Sequence, residues 1–339
     1  MDKKFKFDVV IGNPPYQEET AGTSSSDKPI YNMFMDEAYK IGNIVELITP
    51  GRFLFNAGAT PSAWNRKMLS DPHLKVLYYQ TNSEQVFSNT DIKGGVAVTY
   101  RDMNKNFGEI GTFTIFKELN SILKKVSKDV LDNGSLTSII FSQNKFNLEE
   151  LNKHYPDLNR TDKRLESNIF KYDIFKPEQT NPEDLKILGV IKNKRCYRYV
   201  NSKYISNEKS NLDSYKVLLP KSNGSGTLGE VVSTPLVGTP LVGYTRTFIG
   251  IGNFNTQDEA SAALKYVKSK FARVMLGVLK VTQDNNPGKW KWVPLQDFTS
   301  HSDIDWSKSI HEIDQQLYRK YNLDNKEIEF IETHVKEMD

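Results

Sequence analysis

The amino-acid sequence predicts an α/β fold in its first third, then a second domain of mixed α/β structure and a pair of C-terminal helices. Three observations support this prediction. Four apolar runs of strand length occur early in the chain. Segments whose apolar residues recur at helical spacing lie between the first and second of these runs, and between the second and third. After about residue 117 the pattern changes to short β-branched and aromatic runs that alternate with glycine, proline and asparagine.

The first region begins with a predicted strand that ends abruptly. Residues 7–12 (Phe-Asp-Val-Val-Ile-Gly) predict a short buried strand, and the Asn-Pro-Pro that follows ends it because proline cannot donate to a strand ladder. The other predicted elements are a loop at 19–27, helices at 30–41 and 60–69, and strands at 45–50, 74–79 and 95–100. Strands that alternate with helices predict a largely parallel sheet with its ligand site at the carboxyl ends of the strands. Asn13 lies at such an end.

The rest of the chain is predicted to contain a linker, a strand-rich domain and terminal helices. Its clearest predicted elements are strands at 195–200 and 215–219, a helical pattern at 260–279, and terminal helices at 308–321 and 325–338. Ser307 and Asp324 are suitable N-cap residues for the two terminal helices. We therefore predict three parts, with boundaries at 1–116, 117–306 and 307–339.

Composition excludes several classes of protein. The 45 basic and 42 acidic residues leave a formal charge of +3, so any DNA-binding surface must be a local patch. The single cysteine, Cys196, excludes an intramolecular disulfide and a thiolate cluster, which suits a reducing cytoplasm. The five histidines are scattered, so no metal site is predicted. No apolar run approaches the roughly 20 residues of a membrane span, and we expect a cytoplasmic protein.

The segment Asn13-Pro14-Pro15-Tyr16 has the parts needed to methylate an exocyclic amine. The lone pair of such an amine is delocalised into the base, and hydrogen-bond acceptors around the amino group can localise it. The Asn13 side-chain oxygen can accept one amino hydrogen, and the Pro14 carbonyl can accept the other, held in place by the Pro-Pro geometry. Tyr16 offers a flat ring on which a base flipped out of the duplex can stack.

These residues resemble the catalytic motif of the N6-adenine-specific DNA methyltransferases, as found in type II restriction-modification systems with the gamma-like order of motifs. Two further segments resemble the family: Leu47 to Leu54 (Leu-Ile-Thr-Pro-Gly-Arg-Phe-Leu), and Asp91 to Val96 (Asp-Ile-Lys-Gly-Gly-Val). Residues 244–298 are similar to its C-terminal specificity region. The resemblance implies a partial Rossmann-like methyltransferase sheet followed by a target-recognition domain. It also implies double-stranded DNA as substrate and S-adenosylmethionine as cofactor.

The part of the family that binds S-adenosylmethionine is not recognisable in this sequence. In the order of motifs that this sequence resembles, the cofactor-binding part precedes the catalytic motif, yet only twelve residues precede Asn13. Residues 224–229 (Gly-Ser-Gly-Thr-Leu-Gly) match a GxGxxG pattern, but the β-branched segment 230–235 that follows does not predict the helix this motif must open. We therefore expect an upstream methyltransferase half, as a separate chain or a missing segment, to supply the cofactor site.

DNA contacts are predicted in the second domain, where basic residues are concentrated: Lys194, Arg195, Arg198 and Lys203. The alternative is a solvated strand edge. The segment Lys289-Trp290-Lys291-Trp292 leaves the same two possibilities open. No cluster of carboxylates with a lysine predicts a nuclease centre. Two alternatives to the main hypothesis remain: a DNA-binding specificity subunit or truncated fragment without catalytic activity, and a cytosine exocyclic-amine methyltransferase, whose motif more often begins with serine.

Overall fold

The computed structural model describes residues 6–18, 28–57, 59–88, 90, 92 and 94–338. The predicted loop at 19–27 lies outside these residues, as do Asp91 and Lys93 of the segment that resembles the methyltransferase family. The chain divides into two compact units, Met1–Asn120 (unit 1) and Ser121–Asp339 (unit 2). Both contain helices and strands, so the predicted α/β class is confirmed.

Unit 1 contains every helix and strand predicted for the first region, with ends that differ from the prediction by at most three residues. The strands are β1 Phe7–Gly12, β2 Gly42–Pro50, β3 Leu74–Gln80 and β4 Val96–Asp102, and the helices are α1 Tyr31–Ile41 and α2 Ser62–Leu69. A 3-10 helix, Gly51–Phe55, follows β2 directly.

The four strands form one sheet in the order β1-β2-β4-β3. β1 is parallel to β2, whereas β4 is antiparallel to both β2 and β3. Three strands therefore share a direction, but only the β1–β2 pair is parallel, so the prediction of a largely parallel sheet is wrong for the other two strand pairs. A parallel neighbour needs a long crossover, usually a helix. The described residues between β3 and β4 form only the short 3-10 helix Ser83–Gln85.

The core of unit 1 lies between the sheet and its helices. α1 buries Tyr31, Met35, Ala38 and Tyr39 against β2, and Phe53 and Trp64 complete the cluster. The prediction that the first strand is buried is wrong, because β1 is the edge strand of the sheet. Its side chains alternate, so that Val10 packs on the core while Phe7, Val9 and Ile11 are 46%, 50% and 74% exposed.

Unit 2 contains a long helix at its start, then a series of mostly short strands interrupted by a short helix, and then further helices. The strands are β5 Ile140–Phe141, β6 Lys145–Phe146, β7 Asp184–Ile191, β8 Lys194–Asn201, β9 Ile205–Ser206, β10 Tyr215–Pro220, β11 Leu236–Gly238, β12 Val242–Tyr244 and β13 Phe248–Phe254. They form sheets in the orders β11-β10-β13-β5, β12-β7-β8 and β6-β9. The helices are α3 Lys117–Asn133, which contains the boundary between the units, α4 Leu148–His154, α5 Gln257–Lys268, α6 Lys270–Gly277, α7 Ile310–Lys320 and α8 Asn325–His334.

Capping residues explain where the last helices begin. The predicted N-cap Asp324 is confirmed, and it forms a capping box with Glu327. The predicted N-cap Ser307 is wrong, since Ser309 forms the capping box of α7 with Glu312. The single helical pattern at 260–279 is divided into α5 and α6 at Ser269, whose hydroxyl accepts the backbone N–H of Ala272 and starts a second helix.

Candidate active site

The predicted catalytic segment lines a cavity of about 620 Å³ in unit 1. β1 and β2 are adjacent and parallel, with Gly12 opposite Leu47, so their carboxyl ends meet at the same edge of the sheet. Segments that follow parallel strands at such an edge form the ligand sites of α/β proteins. The lining residues are Asn13, Pro14, Pro15, Tyr16, Gln17, Pro29, Tyr31, Pro50, Arg52, Ala59 and Ile92.

Backbone hydrogen bonds hold the loop after β1 at Tyr16 and Glu18, whereas the Asn13 side chain and the Pro14 carbonyl have no described partner. Ile30 donates its backbone N–H to the Tyr16 carbonyl at 3.1 Å, and Glu18 donates to the Lys28 carbonyl at 3.0 Å. Asn13 is exposed, and neither its side chain nor the Pro14 carbonyl bonds to a described residue. The two acceptors proposed from the sequence are therefore available to a ligand in the cavity.

Tyr16 lines the cavity but also packs against the core of unit 1. Its hydroxyl oxygen is buried and has no hydrogen-bond partner in the described part of the chain. Burial raises the pKa of this phenol, so the hydroxyl stays protonated at neutral pH. A buried polar group without a partner costs about 1–3 kcal/mol.

Arg52 is a cavity residue to which sequence reasoning assigned no role. It belongs to the segment Leu47 to Leu54, whose resemblance to the methyltransferase family was the one available signal. The residue is half-buried at the start of the 3-10 helix after β2, and its Nε atom is buried without a partner among described residues. None of the side chains described as lining the cavity is acidic.

Glycines allow the chain to pass close over Arg52. Gly94 has a φ of +84°, and a Cβ there would lie 2.6 Å from the Cγ of Arg52. At Gly51, a Cβ would lie 2.7 Å from the Tyr79 ring, and the Tyr79 hydroxyl donates to the Gly94 carbonyl at 3.2 Å. Gly94 therefore has a steric reason, since a Cβ there would meet the stem of Arg52, whereas a Cβ at Gly95 would meet the Gln80 carbonyl and Tyr79.

An aromatic cluster supports the cavity from the side of α1. The Tyr31 ring lies 6.4 Å from that of Phe53 and 6.0 Å from that of Trp64, measured between centroids. The Trp64 indole donates to Asp36 at 3.1 Å, which joins α2 to α1. This wall is rigid because its members are buried and interlocked.

The structure does not bring the four predicted DNA-contact residues onto one face. Lys194 and Arg198 are four residues apart on β8 and share a face, whereas Arg195 points to the other side. The Arg195 guanidinium donates to the carbonyls of Thr234 at 2.6 Å and Ser233 at 3.1 Å. Arg195 is therefore engaged in holding unit 2 together, while Lys194 and, beyond the strand, Lys203 are exposed.

Trp290, from the second basic and aromatic segment, is completely buried in unit 2. This observation favours a packing role for that tryptophan over contact with DNA.

The glycine-rich segment 224–229 forms a loop in which a side chain of the protein itself occupies the place that a bound anion would take. The carboxylate of Glu230 accepts the backbone N–H groups of Ser225 at 2.7 Å and Gly226 at 3.1 Å, and Lys280 pairs with it. The expected absence of a helix over 230–235 is confirmed. The loop therefore lacks both features that a nucleotide-binding glycine motif provides, which are free N–H groups and a helix N-terminus.

Among the described ranges, no three or more histidine, cysteine, aspartate or glutamate side chains are grouped as metal ligands would be. Within the same ranges, no helix has the length and apolar character required to cross a membrane.

Comparison with known proteins finds similarity to one family over the first quarter of the chain. Residues 1–87 match the model of the Eco57I restriction-modification methylase family. This range contains Asn13 to Tyr16 and Arg52. A crystal structure of the type IIG restriction endonuclease BpuSI aligns with 90% of this chain and 48% of that protein, at 11% identity and a TM-score of 0.30. The chain thus spans about half the length of that protein. A comparison with curated proteins finds no match.

Proposed function

We propose that this chain is the part of an N6-adenine-specific DNA methyltransferase that holds the target base, within a restriction-modification system. The observation that carries the proposal is the position of Asn13-Pro14-Pro15-Tyr16 at a cavity on the carboxyl edge of a parallel strand pair. The match of residues 1–87 to a restriction-modification methylase family supports it.

The cavity suits a flipped base that carries an exocyclic amine. The Asn13 carboxamide oxygen accepts one amino hydrogen and the Pro14 carbonyl accepts the other, which localises the nitrogen lone pair for attack. Because these acceptors are fixed by two prolines, little reorganisation is needed when positive charge develops on the nitrogen. The Tyr16 ring lies beside the same cavity, where it can contact the base.

S-adenosylmethionine is the methyl donor that the family implies, and the described residues do not fit it well. The one glycine-rich loop with a GxGxxG pattern is filled by Glu230. Among the described residues that line the cavity beside Asn13, none is acidic and able to bind a ribose. The cofactor site therefore belongs to another segment of the enzyme, and this chain supplies the residues that position the amine.

The uncovered face of β1 is the place where such a segment would pack. Of the 15 large hydrophobic side chains that are exposed in the described part of the chain, ten lie in unit 1. Among them are Phe7, Val9 and Ile11, which form an apolar row on the edge strand. Parallel sheets are normally covered on both faces, and an exposed apolar edge strand invites pairing. We propose that the cofactor-binding half of the methyltransferase sheet continues from this edge.

A reconstitution experiment tests the function. The chain is mixed with a candidate cofactor-binding half, duplex DNA and labelled S-adenosylmethionine, and the methylated base is identified by mass spectrometry. Native chain is expected to yield N6-methyladenine, and Asn13→Ala is expected to reduce the rate roughly 100-fold or more. Asn325→Ala is the matched control, since this exposed asparagine lies on α8 in unit 2.

Three results would contradict the proposal. Equal labelling by native and Asn13→Ala chains would remove the catalytic role of Asn13. Methylated cytosine would reassign the substrate base. DNA binding without any methylation, with every cofactor-binding half that assembles with the chain, would favour a specificity subunit.

A further inference from the structure

We infer that Arg52 binds a phosphate group of the nucleotide whose base enters the cavity. This inference rests on the proposed function, which it extends from the base to the sugar-phosphate backbone. It concerns a residue that lines the same cavity as Asn13 and whose Nε atom has no hydrogen-bond partner among the described residues.

The first argument is the contrast between Arg52 and the other half-buried arginine of unit 1. Arg101 pairs with Asp71 at 2.7 Å, as a largely desolvated guanidinium normally must. Arg52 forms no ion pair with any described residue, although its Nε atom is inaccessible to solvent. Each guanidinium has one buried nitrogen without a partner among the described residues, Nε in Arg52 and Nη1 in Arg101, so the two arginines differ in the ion pair. An arginine that lines a cavity without an ion pair to a described residue is arranged to receive an anionic acceptor from a ligand.

The second argument is the chemistry of the cavity wall. Its described lining consists of prolines, tyrosines, an asparagine, a glutamine and small or aliphatic residues, with Arg52 as the single charge among them. A positive charge without a neighbouring carboxylate attracts an anion, and the planar guanidinium matches the paired oxygens of a phosphate. Asn13 and Pro14 accept hydrogens from the base, whereas Arg52 donates. A nucleotide offers both kinds of partner.

The third argument is that the fold fixes the position of Arg52. Gly94 approaches its Cγ so closely that any side chain at residue 94 would displace it. Arg52 also follows Pro50 and Gly51 at the end of β2, next to the strand that ends at Asn13. A cavity of about 620 Å³ lies within the range that accommodates small ligands.

The test compares two ligands that differ by the phosphate alone. Binding of deoxyadenosine and of deoxyadenosine 5′-monophosphate to the full chain is measured by ligand-observed NMR titration. The native chain is expected to prefer the monophosphate by about tenfold or more, and Arg52→Gln should abolish that preference while it retains deoxyadenosine binding. Arg52→Lys should keep part of the preference, because the charge remains without the bidentate geometry.

Arg66→Gln provides the matched control, since it makes the same change of charge at an exposed residue of α2 outside the cavity lining. A duplex DNA titration at several salt concentrations gives a second readout. Loss of one phosphate contact should reduce the slope of log affinity against log salt by about 0.9, in Arg52→Gln and not in Arg66→Gln. Circular dichroism establishes that each variant is folded.

Equal affinity of the native chain for the two ligands, or an unchanged preference in Arg52→Gln, would overturn the inference. A loss of S-adenosylmethionine binding in the reconstituted enzyme, with DNA affinity unchanged, would reassign Arg52 to the cofactor carboxylate and also overturn it. If Asn13-dependent methylation persists in either case, the proposed function stands without this role for Arg52.

Discussion

The carboxylate of Asp314, on α7, accepts the backbone N–H of Phe271 at 2.9 Å in the first turn of α6. It also accepts the N–H of Lys270 at 3.0 Å. A buried carboxylate thus completes the N-terminus of a neighbouring helix, where backbone N–H groups lack partners within the helix.

This arrangement predicts a dependence of stability on pH. Burial raises the pKa of Asp314 to about 6 from 3.8, with Glu332 adding to the rise and the two N–H groups and Arg273 opposing it. Between these values the folded state binds more protons than the unfolded state, so its contribution to stability is lost as pH rises through about 6. Asp314→Asn should remove a decline of about 2–3 kcal/mol between pH 4 and pH 7, measured by urea unfolding.

Asp132→Asn, at an exposed residue of α3, is the control and should leave the decline unchanged. An Asp314→Asn variant with the same pH dependence as the native chain would show that another group is responsible.

The filled glycine-rich loop predicts that Gly226→Ala destabilises the fold and leaves cofactor binding unaffected. A Cβ at residue 226 would lie 2.2 Å from the Thr282 backbone nitrogen, and the φ of +93° is unfavourable for alanine. We expect a loss of about 2 kcal/mol or more in the free energy of unfolding. Gly288→Ala serves for comparison, because its Cβ would come no closer than 3.4 Å to a neighbouring atom. Loss of S-adenosylmethionine binding at unchanged stability would assign the loop to the cofactor.

Two basic residues of β8 are predicted to serve different functions: Arg195 stabilises unit 2, and Lys194 contacts DNA. Arg195→Ala should lower the stability of unit 2 by about 1–2 kcal/mol, because it removes two hydrogen bonds to the carbonyls of residues 233 and 234. Lys194→Ala should leave stability unchanged and weaken DNA binding in a salt-dependent way, since Lys194 is exposed. Thermal unfolding and DNA titration of both variants check this. Identical DNA affinity for Lys194→Ala and native chain would exclude β8 from the DNA surface.

The apolar row on β1 is predicted to be an assembly surface. Val9→Glu places a charge in the middle of the row, where it should weaken association with a cofactor-binding half at least tenfold, measured by analytical ultracentrifugation. Val281→Glu is a fair control, because Val281 is a 68% exposed residue of unit 2. Unchanged association of the Val9 variant would mean that the partner packs elsewhere.

Local patterns were sufficient to predict the elements of unit 1 and the cap at Asp324, because apolar periodicity, proline and capping residues act within a few residues of the chain. The acceptor groups of Asn13 and Pro14, directly after an apolar strand, also predicted the segment Asn13 to Tyr16 as the candidate site, and this segment lines a cavity. Local patterns predicted the wrong N-cap at Ser307, because the capping box of α7 begins two residues later at Ser309. They failed again for β4, whose antiparallel direction depends on the partners that it pairs with across the sheet.

The sequence by itself determined which residues form the strand and loop around Asn13, because those preferences are local. The tertiary structure alone decided what surrounds that loop, because contacts between distant segments depend on strand order and packing. The tertiary structure places Arg52 at the cavity and Gly94 beside Arg52. It also directs the Arg195 side chain toward the carbonyls of Thr234 and Ser233. It also left the apolar row of β1 uncovered, since an edge strand looks the same in sequence as a central one until its neighbours are known.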